Sequence, residues 1–578
     1  MRLNPDIPTR LDDVIFKSLE KDREVRYQSA NELKADLKRV KRDSDSQTLR
    51  VADTKNTKSK SASSRGMPIF LVAGLLVLLA IGGYQVYEHR THAPAIVNAP
   101  AAAGPQTIAV LPFHDLSEAT DDSWAIGITD AIISRLASLQ NLAVRPTTSV
   151  LKYAANTPEP TEVAKALNVE SVLEGTYQRS AGVIRVTVQL IDGQTGVAKW
   201  SQRYDLHSAD ILTFEDQVAT KVVDGLQIQI SPAEQKSMQQ QLTANVDAYN
   251  DYLQARFYLN QYLASSRLDS IENGKRLALH AVSLDKDFAG AYSLLAQFYT
   301  FQGANFVENA AENVKLGEAA AQNAVRIHPD SVEALIALAA AYSEAGREQE
   351  AIPAAEKAAA LAPNNEQAWQ MLGYSAYYAG LNELSERAYR RIIALNPAAL
   401  QPYWMVARML LYQGKTDEAA RELQPVVEHN PDHYKALAYY GMILFYQGKL
   451  DEAEPILQRA LARAHDTGDE TAEFAAGFLY ASRGQRDKIY DRILRRGPEE
   501  IADADGAYWT AEVYSLLGDK PHAIEWLKRT VALGDVNYPW FERDKNFDSL
   551  RADHEFQSIL DFARQRWEAY KKQFDPAS

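Results

Sequence analysis

The chain has 578 residues and a mass of 64.4 kDa, with 46% hydrophobic and 24% charged residues. This is a globular composition that excludes a collagen-like repeat and a wholly disordered acidic tail. It contains no cysteine, which excludes disulfides, thiol nucleophiles, thiolate zinc sites and iron–sulfur clusters. Residues 1–66 carry 16 Lys+Arg against 11 Asp+Glu, and the rest of the chain 46 against 65. A basic head thus precedes an acidic body, and the body is unsuited to bulk nucleic-acid binding because phosphate repels a net-negative surface.

Residues 1–42 read as short amphipathic helices. Ser29 starts the clearer one, with Ala30, Leu33 and Leu37 on one face. Forty-two residues cannot bury a sizeable core, so this stretch is expected to be the end of a larger domain. The run Leu11, Leu19, Asp22, Arg26, Tyr27, Ser29, Ala30, Leu33, Leu37 resembles the last subdomain of bacterial serine/threonine protein kinases. The family's proline is Arg23 here. The glycine-rich loop, phosphate-pairing lysine, HRD loop and DFG motif are not in the sequence. The chain as written therefore has no catalytic residues of that family, and the resemblance implies a C-terminal kinase fragment.

Residues 43–66, rich in Ser, Thr and Lys, are expected to be a disordered juxtamembrane linker. Residues 67–87 (MPIFLVAGLLVLLAIGGYQVY) hold 21 residues without a charge, long enough at about 1.5 Å rise each to cross a hydrocarbon core of about 30 Å. Lys55, Lys58, Lys60 and Arg65 precede this span and only Arg90 follows closely. The expectation is therefore a single-pass inner-membrane protein with a cytoplasmic N-terminus and an extracytoplasmic, periplasmic C-terminal region. Residues 88–106 form an Ala/Pro linker.

Residues 107–230 switch period. The buried-strand run TIAVLPF is followed by an amphipathic helix, a short strand (LAVRP) and a helix (EVAKALN). Three alternating strands within 170–206 and a closing helix complete the stretch. The order predicts a small α/β unit with helices on a mixed sheet. The segments IAVLPF, Gly127 to Asp130, VLEGTY and VTVQLID resemble the TolB-like domain, which implies a fold but no catalytic signature. Gly127 at a helix start admits an anion-binding reading; close packing of helix against strand is the favoured one.

From residue 245 the pattern is helical and repeats. Pro329, Pro363, Pro397 and Pro431 are spaced by 34 residues, as are Gly346, Gly380, Gly414 and Gly448. Two residue types sharing this period point to tetratricopeptide repeats over 245–533, about seven or eight units. Glycine turns the chain between helices A and B, and proline stops helix B. Residues 534–578 resemble the helical capping segment of such arrays. The predicted fold class is therefore mainly α: a tetratricopeptide solenoid preceded by a small α/β domain, one transmembrane helix and a short helical kinase-tail fragment.

In this repeat family helix A lines a concave groove. The resemblance places Tyr374, Tyr377 and Tyr378, then Trp404, Arg408 and Tyr412, then Met442 and Tyr446 on it, with Gln370, Phe445, Phe474 and Phe478 alongside. Tyr, Trp and Arg are enriched at interface hot spots, and Met at adaptable ones. The expectation is that the groove binds a peptide or protein partner, with nucleic acid excluded and a homodimer left open. Packing between repeats competes with that reading for each Tyr and Phe. His89 and His92 lack further metal ligands. Asp503-Ala-Asp505-Gly506 lacks the glutamate of a calcium loop and reads as a turn. Ser149 and Lys152 match a Ser–Lys pair only at chance frequency. No catalytic residue, metal ligand or cofactor site is expected. The functional expectation is a membrane-anchored interaction and signalling module. The alternative is the regulatory part of a kinase whose catalytic domain lies upstream of Met1.

Overall fold

The computed structural model describes residues 105–574 apart from 117–122, 156–157, 181, 208–209, 239–240, 266 and 466. The kinase-like stretch 1–42, the linkers around the apolar run, and the run itself at 67–87 lie outside the described residues. Among the described residues no helix is long and apolar enough to cross a membrane.

The first part is an α/β unit. In chain order it comprises β1 (Gln106–Val110), β2 (His114–Asp115), α1 (Ser123–Ala137), β3 (Leu142–Val144), α2 (Thr147–Val150), α3 (Pro160–Leu167), β4 (Ser171–Ser180), β5 (Val183–Asp192), β6 (Ala198–Leu206) and α4 (Ile211–Leu226). The sheet order is β3-β1-β4-β5-β6, with β2 paired to β4. β1 lies parallel between β3 and β4, with Ile108 opposite both Val144 and Ser171. β4, β5 and β6 form an antiparallel meander in which Val188 faces Gly175 on one side and Gln202 on the other. The sheet is therefore mixed, as the change from continuous apolar runs to alternating ones requires.

Helix α1 is buried on nearly every side, because a second helical layer covers the side turned away from the sheet. That layer begins with the helix Val246–Ser265, α6 below, and Gly127 is where the two helices meet. A Cβ at Gly127 would lie 2.3 Å from the Leu253 carbonyl oxygen. Gly127 is thus a packing glycine inside the helix, pressed against a helix rather than a strand.

After α5 (Pro232–Met238), antiparallel helices stack in pairs. They are α6 and α7 (Val246–Ser265, Leu268–Leu284), α8 and α9 (Ala289–Asn305, Ala310–Ile327), α10 and α11 (Val332–Glu344, Glu348–Leu361), and α12 and α13 (Glu366–Tyr378, Asn382–Leu395). Then come α14 and α15 (Gln401–Tyr412, Thr416–His429), α16 and α17 (Tyr434–Tyr446, Leu450–Ala464), α18 with the short α19 (Thr471–Ser482, Asp491–Arg495), and α20 and α21 (Ala504–Leu516, Lys520–Ala532). Two further helices end the chain, α22 (Tyr538–Arg543) and α23 (His554–Phe574).

Local chemistry sets this period. Ser331, Asn365 and His433 each accept the backbone N–H three residues on and so cap their A helices. Each periodic proline lies two residues beyond the end of a B helix. Gly346, Gly380, Gly414 and Gly448 take φ of 65° to 81°, a left-handed conformation that glycine adopts without strain.

Buried side chains tie the α/β unit to the solenoid. Arg145 donates to the carbonyls of Leu167 (2.8 Å), Asn168 (2.6 Å) and Leu395 (2.8 Å). Arg256 contacts Asp130, Ser134 and Tyr252, and Glu333 at 3.2 Å. A charge in this environment is tolerable only with such partners.

Candidate functional site

The eight residues expected on the groove do converge, but on the chain itself. Tyr377, Tyr378, Trp404, Arg408, Tyr412 and Met442 are each less than 10% exposed, while Tyr374 and Tyr446 are half-buried. An open trough along the A helices is not what the structure contains. Residues 533–550 and helix α20 fill it.

Arg408 is at the centre. Its guanidinium donates to both Asp505 carboxylate oxygens, at 2.6 and 2.9 Å, and to the Tyr412 hydroxyl at 2.9 Å. It also donates to the Tyr377 hydroxyl, which itself donates to Asp505. The Tyr377, Tyr412 and Trp509 rings surround it, with centroids at 4.4, 5.3 and 5.3 Å. Burial opposes the charge, but Asp505 and the tyrosines outweigh it and hold the guanidinium well above its ordinary pKa. Trp404 lies between repeats, its ring 5.1 Å from His433 and stacked at 6.4 Å on Tyr439. Met442 belongs to the same core. Tyr374 donates to Glu344 at 2.8 Å.

The filling segment runs along the array in repeat order. Gly534 approaches Gly346, Asn537 and Pro539 approach Gly380, and Arg543 approaches Gly414. It satisfies carbonyls that the ends of the A helices leave without intrahelical partners. Val536 N–H donates to the Tyr378 carbonyl at 3.2 Å, Asn537 Nδ2 to the Tyr377 carbonyl at 3.1 Å, and Arg543 to the Tyr412 carbonyl. From α23, Arg566 donates to the Gly346 carbonyl at 2.7 Å and Trp567 to the Gly380 carbonyl at 3.1 Å. Trp540 stacks on Tyr412 at 4.4 Å and meets Tyr446 edge-on at 5.2 Å, while Phe541 stacks on Tyr508 at 4.9 Å.

The trough is also rich in acids. Burial, reinforced by its neighbour Asp544, drives the Glu512 carboxyl far up, and burial raises Asp544 as well. Tyr446 and Asn546 donate to Glu512, and Tyr508 donates to Asp544 at 2.8 Å. Burial also lifts Asp535 and Glu348 to about 8 and Glu344 to about 7. Beside the filled part a cavity of about 400 Å³ stays open, lined by Glu344, Tyr374, Tyr378, Asp503 and Leu533 among others.

Asp505, Trp509, Asn537, Trp540 and Asp544 are the residues that reading the sequence missed. They lie far from their partners in the chain, 97 residues separating Arg408 from Asp505, so no local spacing announces them.

Three family models match. Residues 405–469 match a tetratricopeptide repeat, residues 283–401 the bacterial transcriptional activator domain, and residues 104–221 the second domain of HilA/YgeH-like transcriptional regulators. The α/β unit is thus similar to the HilA/YgeH-like domain, and the TolB-like resemblance of its motifs finds no support in these matches.

A putative adenylate cyclase 3 of Rhizobium meliloti is 31% identical over 191 residues, which is 33% of this chain; the match spans about a third (32%) of the relative's own length. Solved structures include a tetratricopeptide repeat protein of Parabacteroides merdae (14% identity, 49% of this chain and 99% of that one, TM-score 0.33). Another is pilF of Pseudomonas aeruginosa (16%, 40% and 97%, 0.30). A third is the APC/C hetero-tetramer Cut9–Hcn1 (14%, 61% and 76%, 0.36).

These findings overturn the extracytoplasmic placement of the C-terminal region. Residues 283–401 match a domain of transcriptional activators. A kinase origin likewise finds no counterpart among the matches. The chain carries tetratricopeptide repeats, which make it a protein–protein interaction module, together with a region resembling the bacterial transcriptional activator domain.

Proposed function

We propose that this chain is the partner-binding, regulatory part of a signalling protein of transcriptional-regulator type. A peptide segment of the partner competes with residues 535–550 for the trough. The observation that supports this reading is the segment itself, which an aromatic- and arginine-lined surface holds through ring stacking and helix-end carbonyls. A surface that accommodates one aromatic, largely helical segment in cis has the shape and chemistry to take another in trans. Arg408 with Asp505 orders the floor, Tyr412 and Tyr446 take an aromatic anchor, and the cavity beside Tyr374 and Tyr378 gives an incoming chain its first foothold. A curated cyclase relative shares a stretch of 191 similar residues with this chain, and recognition of a partner is the function we assign here.

The test uses a fluorescent synthetic peptide of residues 535–550. The wild-type chain should exclude it. The double variant Trp540→Ala, Phe541→Ala, verified as folded by circular dichroism, should bind it and reject a scrambled peptide. A folded double variant that ignores the peptide would end this reading.

A further inference from the structure

Strand β6 closes one side of the sheet. Among the described residues no strand pairs with its outer edge, and Lys199, Ser201, Gln202, Arg203 and Asp205 are exposed. A nine-residue strand with a free row of N–H and C=O groups is a template for another strand, and proteins usually blunt such an edge with charged side chains, proline or a bulge. Here the strand AKWSQRYDL mixes signs, contains no proline, and shows its single irregularity against β5 at its start, between Leu190 and Ile191.

We infer that β6 is a self-recognition edge, which pairs antiparallel with β6 of a second copy of this chain about a two-fold axis passing beside Gln202.

Strand overlap and charge complementarity together select that register: an axis at Gln202 pairs all nine residues of β6, whereas one at Tyr204, which also sets Arg203 opposite Asp205, pairs only 202–206. An axis normal to the sheet keeps the helix-covered faces of both copies on one side, so residues of equal parity must face each other. With Gln202 opposite itself, Lys199 faces Asp205, Ser201 faces Arg203, and Trp200 faces Tyr204. Each of these contacts occurs twice. Centring the axis on Ser201 sets Lys199 opposite Arg203, and centring it on Arg203 sets Arg203 opposite itself. Both arrangements oppose like charges, which destabilises a strand pair.

The groups that would meet already have partners on their own sheet, which the contacts between copies would share. Asp205 binds Arg185 at 2.6 Å on β5, and Lys199 reaches Asp192 at 3.5 Å and Ser171 at 3.0 Å. The product is one continuous sheet running through both α/β units, distinct from the solenoid trough.

The absence of cysteine from the sequence makes the test clean. In the full chain Gln202→Cys places one thiol at the axis, where directly opposed Cβ atoms lie within disulfide reach. With oxidised glutathione it should convert mostly to a linked dimer. Ser201→Cys and Arg203→Cys should each link poorly alone but link when mixed. As an independent arm, Gln202→Lys and Gln202→Glu should each run as monomers by light scattering and form a one-to-one dimer when combined. A Gln202→Cys chain that stays unlinked, or single-cysteine variants that all link equally, would overturn the assignment. Two separately charged variants that still dimerise would do the same.

Discussion

Two buried arginines hold two parts of this molecule together by opposite means. Arg145, at the junction of the α/β unit and the solenoid, gives its hydrogen bonds to three backbone carbonyls, and its nearest acid, Glu366, stands 3.7 Å away. Burial pulls its pKa below the usual value, which the distant Glu366 only partly offsets. Arg408, in the trough, is bound through both oxygens of Asp505 and ringed by aromatic faces, and its charge is held more firmly than in water. Carbonyls do not titrate, so the Arg145 contact is insensitive to pH, although the same junction also sets Arg256 against Asp130 and Glu333. Carboxylates titrate and rings can be displaced, so the trough is where proton uptake or competition by another segment acts.

The contrast is broken most severely at Asp505. Asp505→Ala leaves Arg408 buried without its carboxylate and should destabilise the chain by about 4 kcal/mol, read as a fall in urea midpoint. Trp540→Ala removes the ring between Tyr412 and Tyr446 and should cost about 3 kcal/mol, with hydrogen-exchange protection lost first in 533–574. An intact protection pattern would mean that the segment is held mainly by its backbone.

Acid–base behaviour should act next, chiefly in the trough, although burial also lifts Glu366 at the junction to about 7. The folded-state pKa of Asp535 and of Glu348 is raised to about 8, and that of Glu344 to about 7, each chiefly by burial. A carboxyl raised above its unfolded value near 4 weakens the fold as pH climbs between the two values. The urea midpoint should therefore decline from about pH 5 to about pH 8, and Glu348→Gln should flatten part of that slope. A midpoint that rises over this interval contradicts the picture.

Gly346→Ala adds a methyl 3.1 Å from the Gly534 Cα at a φ of 65°, and about 1 kcal/mol is expected. Glu366→Gln should do least, below about 1 kcal/mol in the same titration, because carbonyls rather than this acid hold Arg145.

How much of this was legible in the sequence follows from distance along the chain. The 34-residue spacing of Gly346, Gly380 and Gly414 gives the repeats away because each turn is a local requirement. The strands of the meander show in their alternation for the same reason. Arg408 and its tyrosines could be placed on the A helices, but their partners could not. Asp505 sits in a stretch that reads as a turn, and Trp540 in one that reads as a cap. Whether a lined surface is open or filled depends on contacts made more than a hundred residues away.

The route of residues 533–550 across successive turns bears on how the molecule is made. Helical arrays ordinarily fold outward from any pair of neighbours, each unit resting on the next. Here a later-synthesised segment completes units made 160 and 220 residues earlier. Every nascent chain must pass through a stage with its aromatic lining bare. A prematurely terminated product would remain in that stage, sticky and exposed to chaperones and proteases.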